Sequence, residues 1–135
     1  MAGAWGYLDK LIGRRLILPG EVIERYPELG AARFRLGGIP LNIGGWALGM
    51  SHVAGFTLGR TIFLHREPHA GLDDELLLHE LRHVHQFLES KSFPVKYLWQ
   101  SIRRGYLNNA YEVDARRFAE KRLRTGDTDG KGGRA

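Results

Sequence analysis

The sequence of 135 residues contains no cysteine, which excludes a disulfide framework and any metal site built from thiolates. Its first six residues, Met-Ala-Gly-Ala-Trp-Gly, lack the basic start and the apolar run of a signal peptide. We therefore expect a cytoplasmic protein whose core forms without cross-links, for which a chain of this length is sufficient.

Charged residues are missing from one long stretch. Residues 36–59 contain no Lys, Arg, Asp or Glu, and a charge-free run of this length can indicate a membrane span. Seven glycines, together with Pro40, Asn42 and His52, interrupt the run. Glycine and proline at this density are typical of tight turns, so the stretch predicts sheet and turns and no membrane span.

The order of the predicted elements indicates the fold class. Residues 32–36 and 56–64 have the composition of strands, with Gly59 as a bulge in the second. Three stretches with helical periodicity follow, at about 73–89, 94–104 and 110–124. Strands first and helices afterwards predict an α+β fold, with the helices packed on one face of a small N-terminal sheet.

Glycine also marks the expected end of the ordered domain. Gly126 is the predicted stop of the last helix. The residues from there to the end of the chain are small, polar or charged. We expect a single domain over 1–125 and a flexible tail over 126–135.

The first of these helices contains the motif His79-Glu80-Leu81-Arg82-His83. Residues four apart lie on the same face of a helix, so His79 and His83 can direct their imidazoles at one point. Two imidazoles held in this way form half of a Zn²⁺ site, and Glu80 can act as general base on a nearby water. The alternative is a pair of histidines at the edge of the core that need only a hydrogen bond.

The apolar residues of the same helix lie on another face. They recur at helical spacing and form one stripe: Leu77, Leu81, Val84 and Leu88. We expect this stripe to pack in the core, which turns the histidine pair towards a cleft. His85, two residues after His83, points about 200° away and should not join the metal site.

A catalytic zinc site usually has three protein ligands, so a third donor is needed. Glu112 shares the small, apolar face of the last helix with Ala115 and Ala119, and a carboxylate there is costly to bury without a cation. The alternative is a capping box, with Asn109 as N-cap and Glu112 folded back onto the backbone. His65 and His69, in the loop before the motif helix, are the fallback donors.

Three blocks together resemble a known family: residues 57–64, 79–86 and 109–115. They are similar to the gluzincin branch of the zincin metallopeptidases, in particular to its small, single-domain bacterial and archaeal members. The resemblance covers about residues 56–124. It implies a zincin-like fold in which two further helices follow the motif helix. It also implies Zn²⁺ held by His79, His83 and Glu112, with Glu80 as catalytic base, and a peptide substrate lying along a sheet edge near Leu58–Phe63.

The sequence departs from that family in two places. Larger gluzincins have an acidic residue four positions after the ligand Glu, as a partner for a zinc histidine, and here Arg116 occupies that position. They also have a later Tyr or His that stabilises the oxyanion, and neither residue type follows Glu112. Such a donor would have to come from Tyr97, Tyr106, Tyr111 or His52.

These observations favour a zinc-dependent peptidase. One alternative is a zinc-stabilised protein-binding domain with weak or no activity, because the oxyanion donor is missing from its usual place. A second is a basic helix-turn-helix that binds nucleic acid through the helices at 94–104 and 110–124, since the net charge is +5. A solvated basic face is the commoner meaning of such charge, so we do not expect nucleic-acid binding.

Overall fold

The computed structural model describes residues 11–38, 40 and 54–132, with side chains to residue 126. The strands are β1 (Arg14–Leu16), β2 (Arg33–Leu36), β3 (Gly55–Leu58) and β4 (Thr61–Leu64). The helices are α1 (Gly20–Arg25), a 3₁₀ helix (Pro27–Ala31), α2 (Asp74–Glu89), α3 (Phe93–Asn108) and α4 (Ala110–Gly132). A small sheet followed by three longer helices confirms the predicted α+β class.

The four strands form one sheet in the order β1-β2-β4-β3. The β2–β4 pair is parallel, and the other two pairs are antiparallel. The prediction of one strand over residues 56–64 is wrong, because Gly59 and Arg60 form a tight turn between β3 and β4. Gly59 has φ +64°, and this positive φ is what a two-residue hairpin turn requires.

The hairpin changes where the sheet ends. Among the described strands, β3 is an edge, whereas β4 is internal because it pairs with both β2 and β3. The edge predicted near Leu58–Phe63 is therefore formed by β3 alone, and Thr61–Phe63 lie inside the sheet.

The core lies between the sheet, α2 and α4. Leu77, Leu81 and Val84 of α2 are fully buried, as the periodicity predicts. Leu88 is 53% exposed, so its place in the buried stripe is wrong; it lies in the last turn of α2. On α4, Ala115 and Ala119 are fully buried, and their small size lets two helix backbones approach closely.

Two helix ends differ in how well they were predicted. Gly105 has φ +74° and ψ 168°, so the helical geometry of α3 is interrupted at the predicted end near residue 104, although the helix as a whole extends to Asn108. The predicted end of α4 near Arg124 is wrong, because the helix continues to Gly132. Gly126 is not among the glycines with positive φ and packs beside the Tyr26 ring, so it does not act as a stop. Flexibility of residues 126–135 stays a prediction.

Candidate metal centre

Helix α2 presents His79 and His83 to helix α4, where Glu112 faces them. The Nε2 atom of His79 lies 2.9 Å from Glu112 Oε2, and the Nε2 atom of His83 lies 3.1 Å from Glu112 Oε1. The two imidazole centroids are 5.0 Å apart. Possible ligand atoms of the three residues all lie within 4.8 Å of one another, and no other such group occurs among the described residues.

The spacing of these atoms fits a small divalent cation. Ligand atoms 2.0–2.1 Å from a tetrahedral zinc are separated by about 3.3 Å. The two nitrogen–oxygen distances in the structure, 2.9 and 3.1 Å, are close to that value. Glu112 is 3% exposed, and a buried carboxylate requires a compensating positive charge. The three residues could therefore hold a metal ion.

Gln86 determines which nitrogen of His83 carries a hydrogen when the ring is neutral. The Gln86 Nε2 group donates to Asp114 Oδ2 at 2.9 Å and to the Tyr111 carbonyl at 3.1 Å. Because an ionised carboxylate and a carbonyl only accept, the amide orientation follows, and Gln86 Oε1 faces His83 Nδ1 at 2.7 Å. His83 then carries its hydrogen on Nδ1 and has a lone pair on Nε2.

That tautomer leaves two acceptors face to face, because the His83 Nε2 lone pair points at a Glu112 oxygen. Only a proton or a metal cation between them makes the contact favourable. Without a metal, burial lowers the pKa of His83, but the hydrogen bond to Glu112 and the charges of Glu80 and Glu112 outweigh burial and raise that pKa to about 9. Burial raises the pKa of Glu112, and the hydrogen bonds from His79 and His83 outweigh it and hold that pKa well below its usual range.

Two tyrosines that the sequence offered as oxyanion donors lie near Glu112. The Tyr97 hydroxyl donates to Glu112 Oε1 at 2.6 Å, and burial and the Glu112 charge raise the pKa of Tyr97. Burial and the same carboxylate also raise the pKa of Tyr106. Tyr111 contributes its carbonyl to Gln86, and His52 lies outside the described residues.

Glu80 lies against strand β3. It is 6% exposed, and its Oε2 accepts a hydrogen bond of 2.7 Å from the Thr57 hydroxyl. A Cβ built on Gly55 would lie 3.2 Å from Glu80 Cγ, so the strand backbone passes very close to this side chain. The motif gives no signal for these contacts; only the alternation of side chains along β3 could have suggested Thr57.

The structure distinguishes between the alternative roles that the sequence left open for Asn109, Glu112 and the other histidines. Asn109 does cap α4, because its Oδ1 accepts from the Tyr111 backbone N–H at 2.9 Å. Glu112 takes no part in that cap and faces the histidines instead. His65 and His69 are exposed and lie outside the cluster. His85 packs against Phe118 on another side of α2, as its position predicts.

Arg116 occupies the position at which the resemblance places an acidic partner for a histidine, and its contacts are different. Arg116 donates to the Leu107 carbonyl and does not contact the histidines. Gln86 contacts His83 instead and is itself held by Asp114, which also accepts from Arg82 Nε at 2.6 Å. A residue on the motif helix thus supplies the contact to His83.

Comparison with known proteins yields one partial match. The family model described as the eCIS core domain matches residues 47–91, about a third of the chain. The matched stretch contains β3, β4 and α2 with His79, Glu80 and His83, and it ends before Glu112. The searches of curated proteins and of solved structures give no match. Among the described residues, no helix combines the length and the apolar character that crossing a bilayer requires.

Proposed function

We propose that the protein is a zinc-dependent peptidase in which His79, His83 and Glu112 hold the metal and Glu80 is the general base. The arrangement of His83 and Glu112 carries this proposal. Gln86 directs the lone pair of His83 at a buried carboxylate, and a divalent cation between them satisfies both groups. Two histidines and one carboxylate are a ligand set of catalytic zinc sites, which keep one position open.

The proposed chemistry is hydrolysis of a peptide bond. Zinc in such a site acts as a Lewis acid and lowers the pKa of a water to about 7. Glu80 accepts a proton from the attacking water and passes it to the leaving amine. The Thr57 hydroxyl holds one carboxylate oxygen of Glu80 in place, while Tyr97 holds one oxygen of Glu112.

A peptide bound along β3 would lie next to Glu80, the proposed general base. β3 is the edge of the sheet among the described strands, and an extended peptide can add to such an edge through main-chain hydrogen bonds. The same strand carries Gly55 and Thr57, both of which lie against Glu80. A substrate paired with β3 would therefore lie beside the proposed base.

Metal analysis followed by a cleavage assay tests the proposal. We expect one zinc per chain, and cleavage of a peptide library that a chelator abolishes and added zinc restores. Glu80→Gln should keep the zinc and lose cleavage, whereas Glu112→Ala should lose both. Glu75→Gln, an exposed position on the same helix, is the matched control and should behave like the wild type. Wild-type cleavage by Glu80→Gln, or full zinc occupancy in Glu112→Ala, would contradict the assignments.

One observation favours a second candidate function, a zinc-stabilised binding domain without turnover. The hydroxyl of Tyr97 is already donated to Glu112, so it is not directed at a substrate carbonyl. Losing one oxyanion donor typically lowers the rate 10²–10³-fold. A protein that binds zinc stoichiometrically but cleaves no peptide in the library would support this candidate over the peptidase.

A further inference from the structure

Strands β1 and β2 border a cleft whose lining contains three arginines as well as the apolar Leu16 and Phe34. Its volume is about 540 Å³, and its charged lining residues are Arg15, Arg33 and Arg35. Phe34 of β2 lies opposite Ile62 of β4, and both belong to the core that includes α2. Arg33 and Arg35 alternate with Phe34 along β2, so they project to the other face of the sheet, away from the candidate metal centre. Nothing in the proposed peptidase mechanism uses these arginines.

The strand register places the three positive charges on one face. Arg15 of β1 is directly opposite Arg35 of β2 in an antiparallel pair, so their side chains project to the same side. Arg33 is two residues before Arg35 and shares that side. Like charges directly opposite each other destabilise a strand pair, and an anion between them would remove the repulsion.

No acidic side chain neutralises these arginines among the described residues. The cleft lining contains no Asp or Glu, and none of the ion pairs within residues 11–38 and 54–126 involves Arg15, Arg33 or Arg35. Arg35 donates to the Gly13 carbonyl at 2.9 Å, which orients its guanidinium. By contrast, the neighbouring Arg14 points to the other face and pairs with Glu67.

We propose that this cleft binds a ligand carrying two or more phosphate groups. A guanidinium presents a planar fork of donors that matches phosphate oxygens, and three of them on one face match more than one phosphate. The volume lies within the range of small-ligand sites. A free polyphosphate, as in a nucleotide, and the backbone of a single-stranded nucleic acid both offer this chemistry.

Thermal shift and titration calorimetry of the full chain test the proposal with two probes, inorganic pyrophosphate and a short single-stranded oligonucleotide. We expect at least one probe to raise the melting temperature of the wild type at low ionic strength. Arg15→Gln and Arg33→Gln should each weaken binding of that probe about tenfold or more. Arg14→Gln changes the charge equally on the same strand but on the other face, and it should bind like the wild type.

The results of these experiments distinguish a free polyphosphate from a nucleic-acid backbone, and they support or overturn the proposal. Binding of pyrophosphate indicates a free polyphosphate, and binding of the oligonucleotide alone indicates a nucleic-acid backbone; either supports the cleft. Absence of binding by both probes would overturn the proposal. Equal binding by wild type, Arg15→Gln and Arg33→Gln would also overturn it, because the phosphate would then be bound elsewhere, for example at the metal centre. An equal loss of binding in Arg14→Gln would overturn the proposal as well, because the loss would then reflect the general surface charge and not the cleft.

Discussion

The strongest prediction concerns Gln86, which lies beside the proposed metal ligands and is not one of them. Gln86→Leu removes the acceptor of the His83 Nδ1 hydrogen and the donor to Asp114 and Tyr111. Leucine has a similar volume, so the packing of α2 against α4 should persist. The substitution therefore tests the hydrogen bond more than the fold.

The magnitude follows from the burial of His83, which is 6% exposed. Gln86 is the hydrogen-bond partner of the His83 Nδ1 group among the described residues, so in Gln86→Leu the ring can rotate or change tautomer. Loss of such a supporting contact typically lowers metal affinity 10–100-fold, which corresponds to about 1.4–2.7 kcal/mol. We expect the zinc dissociation constant of Gln86→Leu to rise by that factor.

Competition with a chromophoric zinc chelator at fixed pH measures the dissociation constant. Long-range ¹H–¹⁵N correlation spectra of the histidine rings, recorded with zinc bound, report which nitrogen of His83 carries the hydrogen. Gln100→Leu is the matched control, because Gln100 is partly buried on α3 and its Oε1 has no hydrogen-bond partner within the described part of the chain. The control should bind zinc like the wild type.

Two results would refute the reasoning. The first is a zinc affinity of Gln86→Leu within twofold of the wild type, which would show that Gln86 does not orient a ligand. The second is a wild-type His83 whose hydrogen lies on Nε2 in the zinc-bound protein. In that case the lone pair would not point at Glu112, and the observation that carries the proposed function would be lost.

Three further predictions concern the rest of the molecule. Burial raises the pKa of Glu28, but the hydrogen bond and charge of Arg122, together with a backbone hydrogen bond, outweigh burial and lower that pKa from its usual 4.5. The Glu28–Arg122 pair therefore stabilises the fold above about pH 4.5, and the contribution is lost as the pH falls through the lowered value. Urea unfolding of Glu28→Gln should show a loss of about 1–2 kcal/mol at pH 7 and a smaller difference from wild type near pH 3. Thr57→Val should leave zinc affinity unchanged but lower kcat about tenfold through mispositioning of Glu80, while Thr57→Ser restores it; an unchanged kcat would remove this role. Ala119→Leu should lower the free energy of unfolding by about 1–3 kcal/mol through overpacking between α2 and α4, and a neutral result would show that this contact has room.

The contact to His83 comes from the motif helix and not from the helix that follows Glu112. Arg116, four positions after Glu112, bonds to the backbone of α3. Gln86 is three residues after His83 and therefore on the same face of the same helix. The contact to the histidine is thus made locally, and Asp114 supports it from α4.

The sequence alone determined the features that depend on local periodicity. His79 and His83 share a face of α2 because helical geometry places residues four apart together, whatever the helix packs against. The bounds of α2 and the position of Gly105 at the end of regular geometry in α3 follow from residues within one or two turns. The α+β class follows from the order of such segments along the chain.

Only the tertiary structure decided the features that join distant segments. Glu112 is 33 residues from His79, and its use as a cap or as a partner of the histidines depends on how α4 packs on α2. The contacts of Thr57 with Glu80 and of Tyr97 with Glu112 likewise cross between elements. The turn at Gly59 and the continuation of α4 past Gly126 were mispredicted, because a glycine accepts several backbone conformations and its neighbours in space select one. Local periodicity orients a side chain on its own element, and packing alone determines what that side chain meets.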